Sequence, residues 1–316
     1  MTAWLLRIFG ALLMLSALAL ALSRAPDRPV ETLVARWGLP PSSFLDVGGQ
    51  LVHLRDVGPR ADPLPIVLLH GTSSSLHTWD GWVQALQGRR RVITLDLPGF
   101  GLTGPRADGD YRGDADARFV LAVLDALQVP RCVLGGNSLG GETAWRVATL
   151  APERVDRLVL VDAAGLPFEG LSVPLAWRIA SVPVLNRVME WVLPRPLVVQ
   201  GLVQVYADPQ RIGSDLVDRY FELTLREGNR RALGERLRQR LARPEGADAA
   251  RVATIRQPTL ILWGAEDRLI PPAVGRDFQR RIAGSELVLL PGLGHVPHEE
   301  DPARSLQPVK AFLGLD

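Results

Sequence analysis

The chain of 316 residues predicts an α/β fold, in which a mostly parallel central sheet is flanked by helices. Short apolar runs alternate with helical patterns along most of the chain. A glycine-rich turn joins one of these runs directly to a helical pattern. A gap of about 90 residues, between 162 and 259, is too long for one crossover helix and therefore predicts an inserted segment.

The elements follow from these patterns in chain order. A turn at Gly48-Gly49 predicts a hairpin of strands at 44–47 and 51–57. Short apolar runs predict parallel strands at 66–69, 91–95, 131–134, 157–161, 259–263 and 287–290. Helical periodicity predicts helices near 30–37, 75–87, 114–128, 139–150 and 302–313. The long gap has apolar helical stretches at 176–192 and 197–205 and charged ones at 215–226 and 230–241.

The segment Gly136-Asn137-Ser138-Leu139-Gly140 follows an apolar run and opens a helix, which is typical of a nucleophile elbow. Small neighbours allow Ser138 to sit in a strained turn at the strand tip. A serine nucleophile needs a base and a carboxylate that orients the base. Asp267 and His295 each follow a later predicted strand, at the sheet edge where α/β proteins gather functional groups.

The order Ser138, Asp267, His295 resembles that of the α/β-hydrolase fold family. The resemblance covers roughly 44–314 and implies that these three residues form a catalytic triad. The other matching motifs are His70-Gly71-Thr72, Asp96-Leu97-Pro98-Gly99-Phe100-Gly101, and Gly292-x-Gly294-His295 followed by Glu300 and Pro302. The elbow is similar to those of meta-cleavage-product hydrolases and of membrane-anchored monoacylglycerol lipases.

The resemblance also implies a domain organisation. A hydrolase core is expected at 44–165 and 256–316, with a helical cap inserted at 166–255. The cap would line the substrate pocket, so substrate choice is expected to depend on it. Residues 26–43 are expected to form a linker, and residues 1–25 a separate N-terminal segment.

The oxyanion hole is expected to use the backbone N–H groups of Leu139 and Thr72, with Ser73 as an alternative to Thr72. The histidine and the acid each have rivals in the sequence. His298 competes with His295, and Glu266 and Asp162 compete with Asp267. His70 is expected to hold the loop after its strand, whereas His53 and His77 are interpreted as surface or packing residues.

The predicted chemistry is hydrolysis of a carboxylic ester through an acyl-enzyme, with no metal or organic cofactor. The substrate is a small molecule or a lipid ester. A carbon–carbon bond hydrolase and a cofactor-free haloperoxidase stay open as alternatives, because the same triad serves several activities. A non-catalytic binding protein is a remote alternative.

Composition limits the partners. The net charge is only +2, and no basic patch is interleaved with aromatic residues, so nucleic-acid binding is not expected. Lys310 is the sole lysine, and this arginine bias indicates a GC-rich, bacterial genome. A single cysteine, Cys132, excludes an intrachain disulfide.

The N-terminal segment carries a separate signal. From Trp4 to Leu22 the only charged residue is Arg7, and nineteen helical residues would span about 28 Å. We therefore expect a membrane anchor at residues 4–22. The alternative is a cleaved secretory signal with a site at Ala17-Leu18-Ala19 or Ala19-Leu20-Ala21, which would give a secreted or periplasmic protein.

Overall fold

The computed structural model describes residues 2–168, 174–243, 246 and 248–315. One eight-stranded sheet organises the molecule, in the spatial order β1-β2-β4-β3-β5-β6-β7-β8. The hairpin β1–β2 joins β4 in antiparallel pairing, and all further pairs from β4 to β8 are parallel. This arrangement confirms the predicted α/β class. The strands are β1 (Ser42–Val47), β2 (Gln50–Val57), β3 (Ile66–Leu69), β4 (Val92–Leu95), β5 (Cys132–Asn137), β6 (Val155–Val161), β7 (Thr259–Gly264) and β8 (Glu286–Leu290).

Helices flank this sheet and fill the insertion between β6 and β7. They are α1 (Thr2–Leu22), α2 (Val30–Trp37), α3 (Asp80–Leu86), α4 (Gly113–Ala126), α5 (Leu139–Leu150), α6 (Leu175–Ala180), α7 (Pro183–Met189), α8 (Arg195–Val205), α9 (Ser214–Thr224), α10 (Asn229–Leu241), α11 (Ala249–Val252), α12 (Pro272–Arg281), α13 (Pro297–Glu300) and α14 (Pro302–Leu313). Helices α6 to α10 are called the cap below. The boundaries proposed for the domains remain predictions.

Both faces of the sheet are buried, which explains why its parallel strands are almost uniformly apolar. Along β3, Val67 and Leu69 face one cluster of buried side chains, whereas Ile66 and Leu68 face the other. The first cluster includes side chains of α4, α5 and α12, and the second includes those of α3 and α14. The sheet therefore holds the tips of its strands rigidly at one edge, where the candidate site lies.

The N-terminal segment forms α1, whose large apolar side chains, such as Trp4 and Phe9, are exposed. Among the residues that the structure describes, no helix has the length and apolar character needed to cross a membrane. The predicted anchor at residues 4–22 is therefore unsupported.

The junction between the N-terminal segment and the expected linker is bound to the cap. Residues 23–28, called the strap below, run beside the segments that follow α7 and α9. The amide of Ala25 donates to the carbonyl of Trp191 at 2.8 Å, and the amide of Arg28 donates to that of Leu225 at 2.7 Å. Asp27 pairs with the buried guanidinium of Arg230 on α10.

Candidate active site

Ser138 lies in the sharp turn between β5 and α5, with a φ of 53°. A Cβ on Gly136 would lie 2.3 Å from the backbone of Gly140, and a Cβ on Gly140 would lie 2.1 Å from the carbonyl oxygen of Leu69. Only glycine fits at either position, because backbone atoms surround both. The turn therefore has the geometry that the sequence predicted, with a strained serine at the strand tip.

His295 and Asp267 meet in the loops after β8 and β7. Nδ1 of His295 lies 2.6 Å from Oδ2 of Asp267. The other carboxylate oxygen accepts the backbone N–H groups of Leu269 and Ile270, at 2.8 and 2.9 Å. An ionised carboxylate only accepts, so the proton between the two side chains sits on Nδ1 of the imidazole. Nε2 of His295 is then a free base, and it is buried without a hydrogen-bond partner among the described residues.

The loop that carries His295 is fixed from two sides. Nδ2 of Asn137, the residue before Ser138, donates to the carbonyl oxygen of His295 at 2.9 Å. On the other side, the amide of His295 donates to the carbonyl of Val205 at the end of α8, at 2.7 Å. Glu300 accepts from the amides of Gly294 and Asp208, at 2.7 and 2.8 Å. The histidine loop is thus tied to both the elbow and the cap.

Asp162, a rival acid in the sequence, lies beside the pair. Its nearest ligand atom lies within 4.8 Å of those of Asp267 and His295, and its Oδ1 accepts the amide of Gly264 at 2.9 Å. Burial, together with the negative charge of Asp267, raises the pKa of Asp162 well above its usual value. Folding therefore shifts Asp162 towards its protonated, neutral form. It does not contact His295 through a hydrogen bond, whereas Asp267 does.

The expected oxyanion donors come from two elements. Thr72 follows β3 and lines the same cavity as Ser138 and His295. Leu139 is the first residue of α5, and the first N–H groups of a helix have no partner within it. His70 fixes the loop before Thr72, because it accepts the amide of Leu97 at Nε2 (2.9 Å) and its Nδ1 lies 2.7 Å from the carbonyl oxygen of Gly71. The assignment of Thr72 over Ser73 stays a prediction.

Three histidines outside the proposed triad, His53, His77 and His298, are buried, which agrees with a packing role for His53 and His77 and excludes a surface role. His298 lies 3.0 Å from Oγ1 of Thr78 and packs against Trp79, so it is not an exposed loop residue. His53 lies 2.6 Å from the carboxylate of Asp96, the buried aspartate of the turn after β4. His77, also buried, packs near His53. Each of these histidines contacts residues that are distant in sequence, so local periodicity could not predict its burial.

Asp162, Asp267 and His295 also form a group of described residues whose ligand atoms are close enough for a metal ion. The geometry fits a hydrogen bond between Asp267 and His295 better than it fits a metal site. A 2.6 Å contact between Nδ1 and Oδ2 is a hydrogen-bond distance, and two ligands of one ion at about 2.1 Å each lie further apart. Asp267 already accepts at both oxygens, and the raised pKa of Asp162 makes its carboxyl group a poorer metal ligand.

A cavity with about 970 Å³ of empty space, part of it open to solvent, lies between the sheet edge and the cap. Ser138 and His295 form its floor. The apolar part of its wall comes mostly from the cap: Ala176, Trp177, Ala180, Met189, Leu193, Leu197, Val198, Leu202, Val205 and Leu233. Asn186 and Arg230 are polar exceptions, and each has a buried atom without a hydrogen-bond partner among the described residues, Oδ1 and Nη1 respectively.

Comparisons with known proteins agree with this architecture. A sequence model of the alpha/beta hydrolase fold matches residues 65–302. The 2-hydroxy-6-oxo-2,4-heptadienoate hydrolase of Pseudomonas putida is 30% identical over 85% of this chain and 95% of its own length. The meta-cleavage product hydrolase of Pseudomonas fluorescens IP01 superposes with a TM-score of 0.75 at 25% identity, over 86% of this chain and 97% of that one. A membrane phospholipase A, described as a bacterial virulence factor, has the same TM-score and identity over 99% of this chain and 98% of that one.

Proposed function

We propose that this chain, which belongs to the α/β-hydrolase fold family, is a serine hydrolase that cleaves a carboxylic ester with an apolar chain. The observation that carries the proposal is the placement of Ser138 and His295 on the floor of a mostly apolar cavity, with Asp267 bound to His295. A buried apolar cavity favours a hydrocarbon chain, because each buried CH₂ group contributes about 0.8 kcal/mol.

In the proposed reaction, Nε2 of His295 removes the proton from Ser138 as Oγ attacks the ester carbonyl carbon. The N–H groups of Leu139 and Thr72 stabilise the oxyanion that forms. His295 then gives the proton to the leaving alcohol, which leaves Ser138 acylated. A water molecule, deprotonated by His295, attacks the acyl carbon and releases the acid and free Ser138. Asp267 stabilises the imidazolium in both halves.

The test uses the full chain with p-nitrophenyl esters of increasing acyl length and a fluorophosphonate label. We expect labelling at Ser138 and a rise in kcat/KM of about fourfold per CH₂ group until the cavity is filled. Ser138→Ala and His295→Ala should lose both labelling and turnover. His298→Gln, a matched control at the rival histidine, should keep both. Near-normal turnover in Ser138→Ala would refute the proposal.

A carbon–carbon bond hydrolase is the second candidate. Two relatives act, by their names, on 2-hydroxy-6-oxo-dienoates or meta-cleavage products. Such a substrate carries a carboxylate, and Arg230 places in the cavity wall a guanidinium whose Nη1 has no hydrogen-bond partner in the described part of the chain. Arg230 already pairs with Asp27, which favours the ester. If Ser138 is labelled but no ester is cleaved, while a 2-hydroxy-6-oxo-dienoate is consumed, this candidate replaces the first.

A lipid ester is the narrower form of the proposal. The similarity to a membrane phospholipase A includes the N-terminal helix, because it covers nearly the whole chain. Long acyl chains suit the apolar cap wall. Turnover of monoacylglycerols that exceeds turnover of short soluble esters would support a lipid substrate, and the reverse preference would indicate a short-chain esterase.

A further inference from the structure

The outer surface of the cap carries a cluster of exposed apolar side chains around α7. Val184, Leu185 and Val188 are 73, 45 and 47% exposed, and Trp191, just after the helix, is 62% exposed. Positions 184 and 188 are one helical repeat apart and share one face of α7, and Trp191 lies in the turn that follows the helix. Together with Val182, which is 43% exposed, these residues are called the cap patch. Single exposed apolar residues are ordinary, but a group of this kind on one element marks an interaction surface.

The opposite face of α7 lines the cavity. Asn186 and Met189 are buried there, and both contribute to the wall above Ser138. One short helix thus separates the outer cap patch from the interior of the candidate site. A substrate that arrives at the cap patch would have only this element between it and the cavity.

The exposed charged side chains near the cap patch are mainly arginines. Arg178 and Arg187, on α6 and α7, are exposed, and so is Arg24, whose backbone pairs with Val192 beside Trp191. The nearby acid, Glu190, is engaged by Arg231 through two hydrogen bonds. An apolar face with a tryptophan and surrounding arginines matches a lipid surface with anionic head groups.

A second copy of the chain fits this surface less well. A twofold contact would place the same patch, with its arginines, opposite itself. Like charges would then face each other around the apolar centre, whereas anionic lipids neutralise them.

We propose that the cap patch docks onto a lipid surface that carries anionic head groups, with the outer face of α7 in the interface. Docking requires no turnover and is independent of the proposed function, so each can fail separately. Docking would place the cap, and the cavity beneath it, next to the lipid surface from which an apolar substrate would come.

The test places an environment-sensitive dye at single cysteines of the full chain. The native Cys132 is fully buried and burial raises the pKa of its thiol to about 12, so it does not compete for the label. Val184→Cys reports on the cap patch. Leu150→Cys is the matched control, because Leu150 is 42% exposed at the far end of α5, which runs from Ser138 away from the site.

With vesicles of phosphatidylcholine and phosphatidylglycerol, we expect the dye at position 184 to shift to shorter wavelength and the dye at 150 to stay unchanged. Raising the salt concentration should weaken the shift, because the arginine contribution is screened. The proposal is overturned if the protein floats with vesicles while position 184 behaves like 150, since α1 would then account for binding. It is also overturned if no vesicle binding occurs, or if the shift depends on protein concentration without vesicles, which would indicate a second copy.

A charge substitution gives an independent readout. Val184→Asp combined with Val188→Asp should lower the vesicle-bound fraction at least about tenfold, because two apolar contacts are lost. Leu150→Asp should have no such effect. Turnover of a short soluble ester should be unchanged in both variants, and this assay reports the fate of the proposed function separately.

Discussion

Replacing Asp267 with asparagine tests the assignment of the acid. Asp267 accepts three hydrogen bonds, from the amides of Leu269 and Ile270 and from Nδ1 of His295. An asparagine has one accepting oxygen and one donating NH₂ group. Either the two backbone amides or the N–H of His295 must therefore face the NH₂ group, which cannot accept a hydrogen bond. If the amides keep the oxygen, the NH₂ group faces Nδ1, and the imidazole proton must move to Nε2. His295 then cannot take the proton of Ser138.

The expected loss in kcat is about 10⁴-fold, the order seen when such an orienting carboxylate is neutralised, which corresponds to about 5 kcal/mol in the barrier. Asp162→Asn should cost less than about fivefold, because Asp162 makes no hydrogen bond to His295 and the asparagine oxygen can still accept the amide of Gly264, a bond worth about 1 kcal/mol. Glu266→Gln is the control for the loop, since the side chain of Glu266 accepts the amide of Gly292 and makes no hydrogen bond to His295 among the described residues.

The assay is the initial rate with a p-nitrophenyl ester, measured on variants whose folding is checked by circular dichroism. A larger loss in Asp162→Asn than in Asp267→Asn would refute the reasoning and make Asp162 the acid. Equal small losses would mean that no carboxylate orients His295.

Three further predictions concern stability and strain. Folding raises the pKa of Asp162, so the native state binds a proton more tightly than the unfolded chain, which releases it above about pH 3.8. The free energy of unfolding, measured by urea denaturation, should therefore fall as the pH rises from about 3.8 towards the raised pKa. The fall should be less steep in Asp162→Asn. Asp116→Ala should destabilise by about 3–5 kcal/mol in chemical denaturation, because it leaves the buried guanidinium of Arg236 without its carboxylate; an unchanged midpoint would contradict a buried ion pair. Gly140→Ala should abolish turnover and lower the melting temperature, since its Cβ would overlap the backbone of β3, whereas Gly213→Ala, with open space around the new Cβ, should melt like the parent.

Most of the core could be predicted from local pattern, because apolar runs in a buried sheet are unambiguous. Strand β5 is an exception. Its predicted end at 134 falls short of Asn137, since Gly135 and Gly136 have low strand propensity, yet both pair with β3 and β6. The helix α12 was also missed, although its proline at the first position is a common helix start.

The cap shows the limit of local pattern. The apolar stretch predicted at 176–192 is divided into α6 and α7 by Ser181 and Val182, and Pro183 begins α7. The elbow and the acid and histidine loops could be recognised because their chemistry dictates residue type and order. The pairing of Asp27 with Arg230 could not, because it joins side chains 203 positions apart and depends on how the cap folds.

Through that pairing, the strap contributes the counterion of a cation that lines the cavity. Arg230 lines the cavity, and burial lowers the pKa of its guanidinium, which the carboxylate of Asp27 counteracts. A version of the protein that begins after the strap would leave this cation in the cavity wall without its counterion, and its substrate preference would change. Cleavage at Ala19-Leu20-Ala21 would leave residues 23–28 in place. The most informative N-terminal truncation is therefore one at residue 22, where α1 ends and the cap still retains its strap.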